Sequence, residues 1–282
     1  MQKNKILFLF FFLVMSPLLI AQNSYEKKYV TVIPGEEYEA GWLHRIFFGS
    51  HWRDLWTTPV EVEVLDLDKF AGGLTPLDSG GGYQTKSLKF KGKDGRIWKF
   101  RSLNKDPKKI LPPDLQESLV ADIVQDQIST SNPMAPLVVA PFLDTVGILQ
   151  SRPTLVLIPD DEKLGEFRND FANLLGMIEE HPEKDSPSYE KAEKVAGTFK
   201  LFETLEEKRD HRVSKTEYLK ARLVDIFLGD WDRHTDQWRW ARYDVGEEKI
   251  WHPIPRDRDQ AFSKYDGFFP AIASYLTPQL TN

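Results

Sequence analysis

The chain has 282 residues, a net charge of −6, 41% apolar and 12% aromatic residues, and no cysteine. The acidic balance excludes a general nucleic-acid binder, which presents a basic face, and the aromatic content excludes a disordered chain. The lack of cysteine excludes a disulfide framework, thiolate catalysis and a lipid-modified N-terminal cysteine, leaving an ordinary apolar core as the source of stability.

Lys3 and Lys5 precede an apolar run from Ile6 to Met15, continued from Pro17 to Ala21. This pattern predicts a signal peptide over residues 1–21 and a chain that is exported: periplasmic, outer-membrane-associated or secreted. No later stretch reaches the roughly 18 apolar residues of a membrane span. Residues 22–182 and 183–282 are expected to form two lobes.

Tyr29 to Ile33 reads as a short strand, followed by an aromatic segment from Trp42 to Trp56 in which His44 and His51 are expected to be packed or surface imidazoles. Val60 to Leu67 alternates apolar and acidic residues, as a strand with one buried face does. A glycine-rich passage follows, Gly72-Gly73 and then Gly80-Gly81-Gly82, leading into a strand from Tyr83 to Lys91. Asp94-Gly95 then predicts a tight turn into a strand from Arg96 to Leu103. Backbone N–H groups of Gly80, Gly81 and Gly82 can approach phosphate oxygens, although such a triplet also suits a flexible connector. On the last strand Lys99 and Arg101 share one face, opposite Trp98 and Phe100, which fits either a phosphate clamp or a solvated face.

Pro112-Pro113-Asp114 predicts the start of a helix reaching Ile128, with Glu117, Asp122 and Asp126 as carboxylates able to pair the clamp cation. Pro133 to Phe142 reads as irregular; Thr154 to Ile158 and Leu174 to Ile178 are apolar strand-like segments; the polar stretch Glu183 to Glu190 reads as a connecting loop. Helices are expected over Val195–Lys208 and Lys215–Leu228, the second stopped by Gly229. A hairpin follows, from Gln237 to Tyr243 and back from Lys249 to Ile254.

Two acidic clusters flank that hairpin: Asp230, Asp232 and Asp236 before it, Asp257 and Asp259 after it. Carboxylates distant in sequence that converge at one sheet edge suit a Mg²⁺–phosphate site. A transition-metal hydrolase using His234, His252, Asp232 and Asp257 is a rival, but these residues have no compact ligand spacing. A calcium loop at Asp230, Asp232 and Asp236 has Thr235 where an EF-hand requires glycine.

The part order, and the motif Asp232-Arg233-His234-Thr235-Asp236-Gln237, resemble the protein-kinase-like fold and the Asp-Arg-His loop of phosphoinositide and secretory-pathway kinases. Asp257-Arg258-Asp259-Gln260-Ala261-Phe262 is similar to the metal-binding turn of type II phosphatidylinositol kinases and CotH-type spore-coat kinases. The passage also looks like exported domains of Bacteroidetes-type bacteria. The resemblance implies an α+β fold with two lobes, an N-lobe antiparallel sheet plus helix and a mainly helical C-lobe whose hairpin carries the site. It implies Asp232 as general base within a catalytic Asp232, Arg233, His234 loop, a donor held by Gly80, Gly81, Gly82 and Lys99 or Arg101, and Mg²⁺ or Mn²⁺ on Gln237, Asp257 and Asp259. Gln237 stands where these kinases carry Asn. The implied ligands are ATP or another phosphate donor and an acceptor that is a protein, lipid or small molecule. A non-catalytic binding module on the same scaffold is the alternative.

Overall fold

The computed structural model describes residues 27–80, 84–183, 186, 189 and 191–276; the expected signal peptide, Gly81 and Gly82 lie outside them. In chain order the strands are β1 (Tyr29–Val32), β2 (Val60–Val64), β3 (Leu74–Gly80), β4 (Ser87–Gly92), β5 (Ile97–Ser102), β6 (Thr154–Leu157), β7 (Leu175–Glu180), β8 (Lys194–Gly197), β9 (His211–Val213), β10 (Trp238–Val245) and β11 (Glu248–Pro255). The α-helices are α1 (Trp42–Phe48), α2 (Arg53–Thr57), α3 (Leu119–Asp126), α4 (Ala135–Val146), α5 (Arg168–Phe171), α6 (Thr198–Glu207), α7 (Lys215–Phe227) and α8 (Phe268–Leu276). The fold is mixed α+β. No helix of the described residues is long and apolar enough to cross a membrane.

The strands make two sheets. A seven-stranded sheet has the order β1-β2-β6-β7-β5-β4-β3, antiparallel except for the β2/β6 pair. A four-stranded sheet has the order β8-β10-β11-β9, with β9 parallel to β11. Alternation sets the faces of the larger sheet: Leu88, Phe90, Phe100 and Ile178 are fully buried in one core on one side. Lys99 and Arg101 lie on the other side, in register with Glu179 and Met177 of β7. The second core holds Trp238, Trp240 and Trp251 against α4, α6 and α7.

The sequence-based expectations need correction at five elements. The Pro133–Phe142 stretch is not irregular: it contains most of α4, because Pro136 falls in the helix's first turn, where its missing N–H costs no bond. The interior Pro141 is tolerated in a helix whose Ala135, Val139 and Leu143 pack in the second core. The glycine passage contains strand β3, an edge strand with a bulge between Pro76 and Asp78, which is where a sheet accepts proline. Val195 and Ala196 belong to β8 rather than a helix, paired with Ala241 and Trp240, and α6 starts after Gly197. The helix expected from Pro112 starts later: Ser118 caps α3, accepting from Val120 N at 3.2 Å. The C-terminal part is not simply helical with a hairpin, since β8 and β9 widen the hairpin into a sheet.

Candidate functional site

Helix α7 ends at Phe227 with Leu228 as its C-cap, and Gly229 turns the chain with φ 62°, a left-handed conformation that suits glycine. Asp230 follows and is buried, not exposed to a ligand. Its Oδ2 accepts from Arg233 Nη2 at 2.7 Å and Arg258 Nη1 at 2.8 Å. Arg258 also donates to buried Asp225, whose other oxygen accepts from Arg222 at 2.6 Å. Burial raises the Asp230 carboxyl above its ordinary range, against the pull of Arg233 and Arg258. Oδ2 is held by two guanidinium groups and Oδ1 is buried without a partner, and with only 2% of the residue exposed Asp230 does not present its carboxylate to a surface calcium loop.

Arg233 crosses between the two acidic turns. Its guanidinium donates to Arg256 O at 2.7 Å and Asp257 O at 2.5 Å, and its side chain is only 2% exposed. It is therefore a strut that holds the Asp257 turn against the end of α7, and it does not line the cleft described below. His234 is exposed at the cleft and uses Nδ1 to accept from Asp236 N at 3.3 Å, capping the turn into β10. His252 lies elsewhere, against Tyr243 on the hairpin, so the four-residue hydrolase set does not assemble. Among the described residues no three His, Asp or Glu side chains stand together as a metal-holding group.

A cleft of about 470 Å³ opens between the two sheets. One wall is polar and carries Arg101, Lys105, Asp232, Gln237, Asp257 and Asp259; the lining also includes the apolar Trp56, Ile128, Val139 and Leu143. Asp232 accepts from Gln237 Nε2 at 3.1 Å, while Gln237 Oε1 is buried with no hydrogen-bond partner. Asp257 has φ 59°, a left-handed backbone that Asp tolerates better than most residues. Its carboxylate meets Arg101 Nη1, and that of Asp259 meets Lys105 Nζ.

These two neighbouring carboxylates are pulled in opposite directions. Burial opposes the charge on Asp257, but Arg101 and then Lys105 outweigh it and hold the group down at about 2. Asp259 is pushed up by burial and by the charge of Asp257, more than Lys105 offsets. Divergent protonation of two adjacent acids is a feature of functional sites.

The expected clamp is divided. Arg101 faces the cleft, whereas Lys99 is two residues back along β5 and outside the lining. None of the three expected carboxylates serves either cation: Asp126 holds Arg53 through two bonds of 2.7 Å, Asp122 pairs with Lys108 at 3.2 Å, and Glu117 is exposed. Gly80 ends β3 at a neighbouring surface groove and does not line the cleft, while Gln84 and Thr85, just past the glycine run, line both. Lys105 is the residue that sequence reasoning missed. Its signal was parity, since it continues the Lys99, Arg101 alternation beyond the end of the strand.

This chain matches no family model, no curated protein and no solved structure.

Proposed function

We propose that this protein is an exported phosphotransferase of the kinase-like type, with two lobes formed around the two sheets and the cleft between them as its active site. The observation that carries this reading is the meeting of Asp232, Gln237, Asp257 and Asp259 with Arg101 and Lys105 on one cleft wall. The donors suit Mg²⁺ or Mn²⁺: two carboxylates and an amide oxygen with no other partner are hard oxygen ligands. Mg²⁺ sites commonly take only one or two protein carboxylates and complete their shell with water and substrate phosphate, so the lack of a three-residue cluster is compatible with this role. A bound divalent ion would supply charge neutralisation on the transferring phosphate.

In this reading Arg101 and Lys105 exchange their carboxylate partners for phosphate oxygens of ATP or another phosphate donor. The run Gly80-Gly81-Gly82 is the proposed cover for the phosphates because Gln84 and Thr85, just past it, line the cleft. Asp232, oriented by the Gln237 amide, accepts the proton of the acceptor hydroxyl. His234 and Arg233 shape the loop and do not take part in proton transfer. The acceptor is a protein, lipid or small molecule.

The non-catalytic binding module also has a specific observation in its favour. Asp257 and Asp259 are already neutralised by internal cations, and Gln237 stands where the kinases this motif resembles carry Asn. Thermal melting and turnover with ATP, each with and without Mg²⁺ or Mn²⁺, separate the two. Metal-dependent stabilisation with phosphate release or transfer supports the phosphotransferase; stabilisation without turnover supports the module; no response to any nucleotide defeats both.

A further inference from the structure

Beside the cleft, which Glu179 and Arg256 line, a second group of charges has no role in the reaction above. Lys99 of β5 lies opposite Glu179 of β7, His181 follows that strand, Arg239 is on β10, and Arg256 comes just after β11. Arg256 is fixed by its backbone, which donates to Gln237 O at 2.9 Å, and only 8% of the residue is exposed. Its side chain is nevertheless poorly satisfied. Nε and Nη2 carry no hydrogen bond, and its nearest carboxylate oxygen is Glu179 Oε1 at 3.5 Å. Arg239 Nε and His181 Nδ1 are likewise buried and unpartnered.

The local charges do not cancel. Glu179 serves Lys99 and Arg256, and Arg239 adds a third positive charge beside Arg256, a surplus of two before Glu183 is counted, because Arg101 is matched by Asp257 and Lys89 by Asp78 at 3.5 Å. Glu183 acts on Arg239 only from an exposed position, with 52% of its side chain open to solvent. Neighbouring groups register the field. His181 is held down to about 3 by burial and then by Arg256, Arg239 and Lys99; Lys99 is lowered to about 8 by burial and then by Arg101 and Arg256. Leaving buried N–H donors unfilled beside like charges costs stability, and such groups call for a ligand or another specific reason.

We propose that Arg256, Lys99 and Arg239 form a binding site for a doubly charged oxyanion, phosphate itself or the phosphate group of a larger ligand, separate from the Asp232/Asp257 machinery. The guanidinium of Arg256 offers the unfilled donors of a planar fork, the geometry that phosphate accepts. The surplus of two charges selects a dianion over a singly charged carboxylate. The site does not depend on nucleotide or metal, so it stands or falls apart from the phosphotransferase reading.

The test is calorimetric titration and melting of the full chain in EDTA with inorganic phosphate, at constant ionic strength set with chloride. Wild type should bind phosphate and melt at a higher temperature in it, and acetate at equal concentration should have no such effect. Arg256→Gln should weaken phosphate binding at least tenfold while melting as high as wild type, or higher, in phosphate-free buffer, because a like-charge clash is gone. Lys99→Gln, a change on a partly exposed strand position, should weaken binding in the same direction. A phosphomonoester that binds better than free phosphate would assign the site to a larger ligand. Absence of any phosphate-specific response in wild type would overturn the proposal. So would binding retained in Arg256→Gln but lost in Arg101→Gln, which would move the anion to the metal-proximal cations.

Discussion

Asp257 combines a left-handed backbone, a partner guanidinium and a position in the cleft wall. Replacing it with Asn keeps the shape but leaves Arg101 without its charged acceptor. With 27% of the side chain exposed, solvent screens part of the loss. Asp257→Asn should therefore cost about 1–3 kcal/mol, the range for an unmatched polar partner, read from denaturant midpoints; an unchanged midpoint would show that the pair is idle in the free protein. Two histidines predict the pH dependence. In the unfolded chain both titrate near pH 6.5, whereas burial holds folded His51 at about 4 and folded His181 at about 3. Between pH 6.5 and 4 the unfolded state binds more protons, so the stability present in full above pH 6.5 falls as the solution is acidified. Denaturation series from pH 7.5 to 4.5 should show that slope, and it should flatten in His181→Asn. Stability that stays level or rises toward pH 4.5 would refute it.

The turns that carry the acids are held by buried charge rather than by regular structure. Asp225, Asp230, Arg233 and Arg258 bind the end of α7 to the chain leaving β11, and Phe262 N adds a backbone bond of 2.8 Å to Leu228 O. Removing one member strands a buried charge, so Arg258→Gln should lose about 3–5 kcal/mol, whereas Trp231→Ala at the exposed cleft margin should lose less than about 0.5 kcal/mol. Comparable losses in the two variants would show that the network does not support the site. Sequence patterns revealed α7 and the β10/β11 hairpin because each follows a clean period, 3.6 or 2, and ends in a glycine turn. They missed α4, where three prolines mask a helix stabilised by tertiary packing, and the three-residue β9, which exists through pairing with β11. Among site residues, Asp232, Gln237, Asp257 and Asp259 stood out because polar residues clustered on turns between apolar segments. Arg256 did not, since a lone cation in sequence carries no mark of what it will face, and Lys105 offered only its parity with Lys99 and Arg101 past the end of the strand. Arg233 looked functional from its motif, and only its bonds to Asp230 and to two backbone carbonyls reveal a strut.

Across the whole molecule, helix α4 is the tie between the sheets. It lies in the chain between β5 and β6 of the larger sheet, yet Val139 and Leu143 are buried in the core of the smaller one and also line the cleft. At the opposite ends of the chain, Phe47 of α1 stacks on Phe269 of α8 at 5.5 Å, and Trp52 Nε1 bonds Phe262 O at 2.7 Å. The two sheets should thus unfold in one transition. Leu143→Ala should lower stability by about 2–5 kcal/mol without splitting the melt; separate transitions followed by near-UV and far-UV circular dichroism would show independent units.

The central claim, that the polar wall of the cleft performs phosphoryl transfer, is tested most directly by comparing Asp232→Asn and Asp257→Asn with wild type in Mg²⁺–ATP binding and turnover. Wild type at a hundredfold excess over Kd should gain about 2.7 kcal/mol of stability. Asp257→Asn should lose the metal-dependent part of that gain, because a hard anionic ligand is gone. Asp232→Asn should keep it and turn over roughly 10²–10⁴-fold more slowly, as loss of a general base requires. Equal Mg²⁺–ATP binding by all three proteins, with turnover in none, would contradict the account.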